Sequence, residues 1–124
     1  MINKEQVITN IGSGWHSYID MIYSVLPELS FCSGVYLIER KNGMLQVIFS
    51  RTNLTTSEQE FILKSIEYKI ERLTAKVCEE CGQYGVRRTE LPTIKTLCTR
   101  CYAFEYSNLN PVPSLVANQK PQIV

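Results

Sequence analysis

The 124-residue chain contains one His, one Trp and one Asp, and its 13 Lys and Arg face 12 Asp and Glu for a formal charge of +1. Each scarcity excludes something. With His16 and Asp20 alone of their kinds, His-rich metal sites, the carboxylate clusters of metal nucleases and most Ser–His–Asp arrangements are out of reach. The near-neutral balance lacks the basic excess of a generic polyanion binder. No apolar run is long enough to span a bilayer. The first ~30 residues hold no basic-then-apolar signal segment, so the chain is expected to be cytoplasmic. What remains, 44% hydrophobic and 20% charged residues, is the composition of a folded protein and not a disordered one. The length suits one domain, or one with a small appendage, burying roughly two-thirds of the unfolded surface.

Against that plain background stand five cysteines. Cys78 and Cys81 lie in Cys-Glu-Glu-Cys-Gly, and Cys98 and Cys101 in Leu-Cys-Thr-Arg-Cys, giving C-x2-C-x16-C-x2-C. Two thiolates three positions apart on a tight turn occupy one edge of a tetrahedron around Zn²⁺, and a second pair supplies the opposite edge. Gly82 follows the first pair, where a knuckle needs positive φ to turn amide groups toward sulfur. Four sulfur ligands leave no position open to water, so one structural, non-catalytic Zn²⁺ is expected. Two other readings compete. Disulfides fit poorly without signs of secretion. A redox Cys-x-x-Cys needs one reactive pair and leaves the second unexplained. Cys32, between Phe31 and Ser33, reads as a buried or half-buried free thiol.

Between the pairs, Gly85-Val86-Arg87-Arg88-Thr89 and Ile94-Lys95-Thr96-Leu97 suit two short strands around Glu90-Leu91-Pro92-Thr93. A short helix should begin at or near Cys98, its positive end facing the thiolates. Knuckle, hairpin and helix, over residues 76 to about 106, resemble the treble-clef arrangement, including the fingers of GATA type. Those fingers follow the last cysteine with a basic segment that grips DNA. Here residues 103–110 contain Glu105 and no Lys or Arg.

Residues 1–76 read as a body feeding this module. After Gly12-Ser13-Gly14, the residues Trp15, Ile19, Ile22 and Leu26 recur at helical spacing, widened by Tyr18, Tyr23 and Val25. Ser13 is placed to cap that helix and Pro27 to end it. Strands over 35–40 and 44–50 flank Asn42-Gly43, a strong hairpin signal. Ser57 with Glu60 has capping-box spacing, and Ile62, Ile66, Ile70, Leu73 and Val77 form the stripe of a helix running to about Lys76. The expected fold is α+β: a helix–β-hairpin–helix body (1–76), a C4 treble-clef-like zinc module (77–106), and a Pro-containing tail (107–124), weakly ordered or strapped on the surface.

Gly14-Trp15 opening a helix, a hairpin, a helix, Cys-x-x-Cys-Gly and Thr96-Leu97-Cys98-Thr-Arg-Cys101 together resemble a group of small bacterial and phage proteins in which the last ligand is His or Cys. The match runs over roughly residues 10–106 as an ordered series of short motifs. The hairpin departs from the group's Lys-Glu-Lys-Phe-Gly-Gly-type turn, reading Glu39-Arg40-Lys41-Asn42-Gly43. The resemblance implies the same zinc fold and a mobile-element setting, without an activity.

Three functions follow from these residues. The first is a non-enzymatic protein-binding module, such as an immunity protein or an inhibitor of a bacterial toxin or defence component. Tyr84, Tyr102 and Tyr106 are its candidate contacts, aromatics being favoured at interfaces. The second is a nucleic-acid-binding regulator using the finger hairpin, where Arg87, Arg88, Lys95 and Arg100 are opposed by Glu79, Glu80 and Glu90. Arg87 and Arg88 alternate across a strand, so only one faces a given partner. The third is an enzyme using His16 with Cys32, Ser17 or Asp20, for which a polar-face role of His16 is the plainer account. With four thiolates and one Zn²⁺ counted, the formal +1 becomes −1.

Overall fold

The computed structural model describes residues 2–51 and 55–109. The chain opens with an element outside the expected order, α1 (Lys4–Asn10). Its start is a capping box in which the Asn3 side chain accepts from Gln6 N–H at 2.9 Å and the Gln6 side chain accepts from Asn3 N–H at 3.3 Å. A 3-10 turn over Ser13–Trp15 then enters α2 (His16–Val25). Ser13 does not cap α2; its hydroxyl donates to Glu80 O at 3.0 Å, because the chain here is pressed against the first cysteine knuckle. Pro27 ends α2 as expected, inside a 3-10 turn over Leu26–Glu28.

Strands β1 (Val35–Lys41) and β2 (Met44–Phe49) pair antiparallel from Lys41↔Met44 to Val35↔Phe49, with a bulge between Val35 and Leu37. The turn between them is Asn42-Gly43, Asn42 at φ 53. Next comes α3 (Ser57–Thr74). Its capping box is Thr56 with Gln59, one residue earlier than Ser57 with Glu60: Thr56 Oγ1 accepts from Gln59 N–H at 3.1 Å, and Gln59 Oε1 from Thr56 N–H at 2.9 Å. The expected stripe packs on the core at Ile62, Ile66, Ile70 and Val77 but not at Leu73, and Leu63 and Thr74 join it. Leu63, Ile70 and Thr74 are buried, Ile62 and Ile66 only partly, and Leu73 is exposed. The reason is polar. Thr74 Oγ1 accepts from Leu45 N–H at 2.9 Å and Glu67 from Phe49 N–H at 2.8 Å, so α3 side chains cap the outer edge of β2. Arg51, forked between Glu60 and Glu67, fastens the start of α3 to the strand end.

The main core joins Trp15, Ile19 and Ile22 with Leu45, Val47, Phe49, Leu63 and Ile70. Cys32 is half-buried beside it, its thiol donating to Gly34 O at 3.2 Å. The C-terminal module has β3 (Val86–Arg88) antiparallel to β4 (Lys95–Leu97), then α4 (Thr99–Leu109). Helix α4 reaches Leu109, past the expected module end at 106, and the rest of the tail, 110–124, lies outside the described residues. The fold is α+β, two small antiparallel hairpins among helices with a cysteine cluster at the C-terminal end. Among the described residues no helix is long and apolar enough to cross a membrane.

Candidate metal centre

The first pair of cysteines sits on a knuckle just after α3. Cys78 N–H donates to Gln83 O at 2.7 Å and Gly82 N–H to Cys78 O at 3.0 Å, closing a tight loop in which Gly82 takes φ 84, as its position predicts. The second pair straddles the entry to α4: Cys98 directly precedes the helix and Cys101 lies in its first turn. Strand β4, held to β3, delivers Cys98 to the knuckle.

All four sulfurs lie within 4.8 Å of one another. Cys81 Sγ and Cys98 Sγ are 3.6 Å apart, against ~3.8 Å for the edge of a tetrahedron with metal–sulfur bonds of ~2.3 Å. A disulfide needs ~2.05 Å, and the cysteines are free thiols. Cys78 is buried, Cys98 and Cys101 are half-buried, and Cys81 is exposed. The thiols influence one another strongly. The Cys101 N–H, 3.4 Å from Cys98 Sγ, and the neighbouring sulfurs draw Cys98 down to about 6. Cys101 is pushed up, first by burial and then by the other thiols. At Cys81 the Gln83 N–H pulls downward, but burial and the Cys98 and Cys78 thiols outweigh it and the net shift is up. Sulfurs this close compete for ionisation, and a bound dication reverses that competition by attracting every thiolate. The donor set therefore fits one metal ion, held by Cys78, Cys81, Cys98 and Cys101.

The knuckle is gripped by the body. Trp15 Nε1–H donates to Val77 O at 2.9 Å and Gly14 N–H to Glu79 O at 2.8 Å. The approach at Gly14 is so close that a Cβ there would stand 2.0 Å from Cys78 O. From the opposite side, Arg40 forks onto Glu79 at 2.8 and 3.0 Å, and the Arg40 Nη2 also donates to Ile94 O at 2.9 Å. Glu79, 3% exposed, accepts in addition from Thr96 N–H at 2.9 Å. The Thr96 hydroxyl donates to Gly43 O, in the hairpin turn, at 2.6 Å.

The candidate contact residues divide. Arg88, Tyr102 and Tyr106 form one cluster: the Arg88 guanidinium lies 4.3 Å from the centre of the Tyr102 ring, and the Tyr102 and Tyr106 rings are 5.9 Å apart. The Tyr102 hydroxyl donates to Glu90, which lowers the Glu90 carboxyl and raises the Tyr102 phenol. Arg87 points elsewhere, its Nε–H donating to Asn42 O at 2.9 Å. Tyr84, whose backbone makes a single β-bridge with Val77, is 74% exposed, and Tyr106 is 48% exposed. Sequence reasoning passed over Phe104, 70% exposed, which with Glu80, Arg100 and Cys101 lines a surface hollow beside the sulfurs. It read Glu79 only as a charge opposing the basic residues, and Arg40, Thr96 and Gly14 only as parts of motifs, with no role in joining body and knuckle. Only the Gly12-Ser13-Gly14 run carried a signal, as paired small residues that permit close backbone approach. Comparison of the chain with protein-family models, with curated proteins and with solved structures yields no match.

Proposed function

We propose that the protein is a non-enzymatic protein-binding module stapled by one structural Zn²⁺, working in the cytoplasm as an immunity protein or as an inhibitor of a bacterial toxin or defence component. The observation that carries the protein-binding reading is α4: it buries no residue, and its Phe104 and Tyr106 stand exposed beside a four-sulfur site. Large aromatics held on a rigid, metal-fixed element give contact area at little entropic cost. Zinc is supported by an all-thiolate donor set in which the Cys81–Cys98 separation matches a tetrahedral edge. The non-enzymatic reading is supported by the same set, since four sulfurs complete the coordination sphere. His16, the sole imidazole, is engaged by its Nε2 with Ile11 O at 2.8 Å. The immunity or inhibitor role and the mobile-element setting rest on the resemblance to small bacterial and phage proteins.

The nucleic-acid alternative draws less support, because three of the four basic residues of the finger, all but Arg100, are already engaged. Arg87 is bonded to Asn42 O, Arg88 is stacked on Tyr102, and Lys95 pairs with Glu105 at 3.1 Å. A pull-down with the metal-loaded chain from its native host separates the two. The protein-binding reading expects a stoichiometric polypeptide that is lost with Tyr84→Ala plus Phe104→Ala. Recovery of nucleic acid alone, weakened by Arg87→Ala plus Arg88→Ala and by salt, would reject it in favour of a regulator.

A further inference from the structure

We infer that Glu79 is a positioning residue of the metal centre and that, through its clamp with Arg40, metal occupancy and folding of the N-terminal body are coupled. This rests on the metal-binding reading above. Glu79 lies between the ligands Cys78 and Cys81, yet its carboxylate points away from solvent. Three donors hold it: the two arms of Arg40 and the Thr96 N–H. Its own N–H donates to Thr96 O at 2.9 Å, so Glu79 and Thr96 clasp each other through backbone and side chain together. Thr96 is two residues before Cys98. The clasp thus fixes the spacing of the two ligand pairs, and a ligand set held at its bound spacing binds metal more tightly than one that must assemble.

The same residues reach into the body. Arg40 belongs to β1, and Gly43 O, which accepts from Thr96 Oγ1, belongs to the turn that joins β1 to β2. On the other side, Trp15, Gly14 and Ser13 donate to the carbonyls of Val77, Glu79 and Glu80. If the knuckle loosens, the buried indole N–H and the Arg40–Glu79 pair lose their partners, and unpaired buried groups are costly. Coupling of this kind is reciprocal: whatever factor body folding adds to metal affinity, the metal adds to body folding.

The full chain loaded with Zn²⁺, titrated with a chromophoric chelator, provides the test. Metal release, Trp15 emission and amide exchange in α2 and β2 are followed together. Trp15 is the sole tryptophan and fully buried, so its emission reports the junction directly. In the unaltered chain, Trp15 emission should shift and body protection should fall at least about tenfold as metal leaves. In Arg40→Met, metal affinity should drop about tenfold, the low end of what loss of a partner bonded directly to a ligand costs, and the metal-dependent difference in body protection should shrink. Arg40→Lys should recover part of both. A purely structural pair would lower protection equally with and without metal and leave affinity unchanged, and that result would overturn the clamp alone. Body amides equally protected in loaded and stripped chain would overturn it too. A chain that binds no metal would overturn both the clamp and the reading on which it rests. Glu79→Gln, which keeps shape and loses charge, repeats the test from the other partner. Co²⁺ in place of Zn²⁺ shows by its visible spectrum whether the four-sulfur geometry survives in each variant.

Discussion

The two ends of the molecule are held together by different physics. The body closes over Trp15, Phe49, Leu45 and Leu63, all essentially inaccessible to water, and such burial contributes about 1.5–3 kcal/mol per large side chain. Among the described residues the C-terminal module has an apolar cluster of only Cys78, Leu91 and Leu97, with Cys98, Cys101 and Tyr102 partly covered. A segment of that size is below the ~40 residues at which an apolar core sustains a fold without metal, disulfide or partner. The comparison teaches where each region is vulnerable. The body depends on shape and volume; the module depends on four sulfurs and on the seam through which the body grips its first knuckle.

Removing the metal should break the comparison most severely. Chelation should abolish protection of the β3, β4 and α4 amides, because the metal contribution it withdraws is about 10–16 kcal/mol in comparable zinc peptides; hydrogen exchange checks this. Leu45→Ala attacks the other side. It should cost about 2–5 kcal/mol in urea unfolding of the loaded chain while leaving the metal content at its original value. Gly14→Ala strikes the seam. Its Cβ would meet Cys78 O and Glu79, so a loss of about 1–3 kcal/mol from overpacking should be accompanied by weaker metal retention, both measurable in one chelator-and-urea series. Thr56→Ala removes the α3 cap and should cost about 1 kcal/mol, read by urea unfolding and with no effect on metal.

The smallest expected effect concerns pH. The Arg51 hydrogen bond, aided by its charge and that of Lys64, holds the Glu60 carboxyl below its usual 4.5. A depressed folded-state value contributes stability that is complete above the unfolded pKa and is lost as pH falls through the folded one. A carbon-detected NMR titration should find Glu60 titrating below 4.5 and returning toward it in Arg51→Met, with the module's resonances unchanged.

The cysteine cluster was the most legible feature, because ligand spacing is a local constraint: C-x2-C twice, with Gly82 between them, dictates knuckles whatever the surroundings. Asn42-Gly43 gave the hairpin for the same reason, and the absence of Gly or Pro after Cys98 gave α4. Residues whose role depends on distant partners were not legible. Glu79 in Cys-Glu-Glu-Cys reads as a solvated charge like Glu80, and its partner Arg40 lies 39 positions away. The stripe on α3 failed only at Leu73, because hydrophobicity weighs Leu73 above Thr74, whereas the strand edge needs the Thr74 hydroxyl for Leu45 N–H. Helix α1 was passed over because it buries little beyond Val7, too short a pattern to register, although Asn3 and Gln6 have capping-box spacing.

The most direct test of the account is the metal content of the folded full-length chain, read by native mass spectrometry with elemental analysis. The account predicts one zinc per chain, none in Cys98→Ser with Cys101→Ser, and loss of α4 amide protection in that variant. A chain without metal whose α4 amides are nonetheless protected would contradict it.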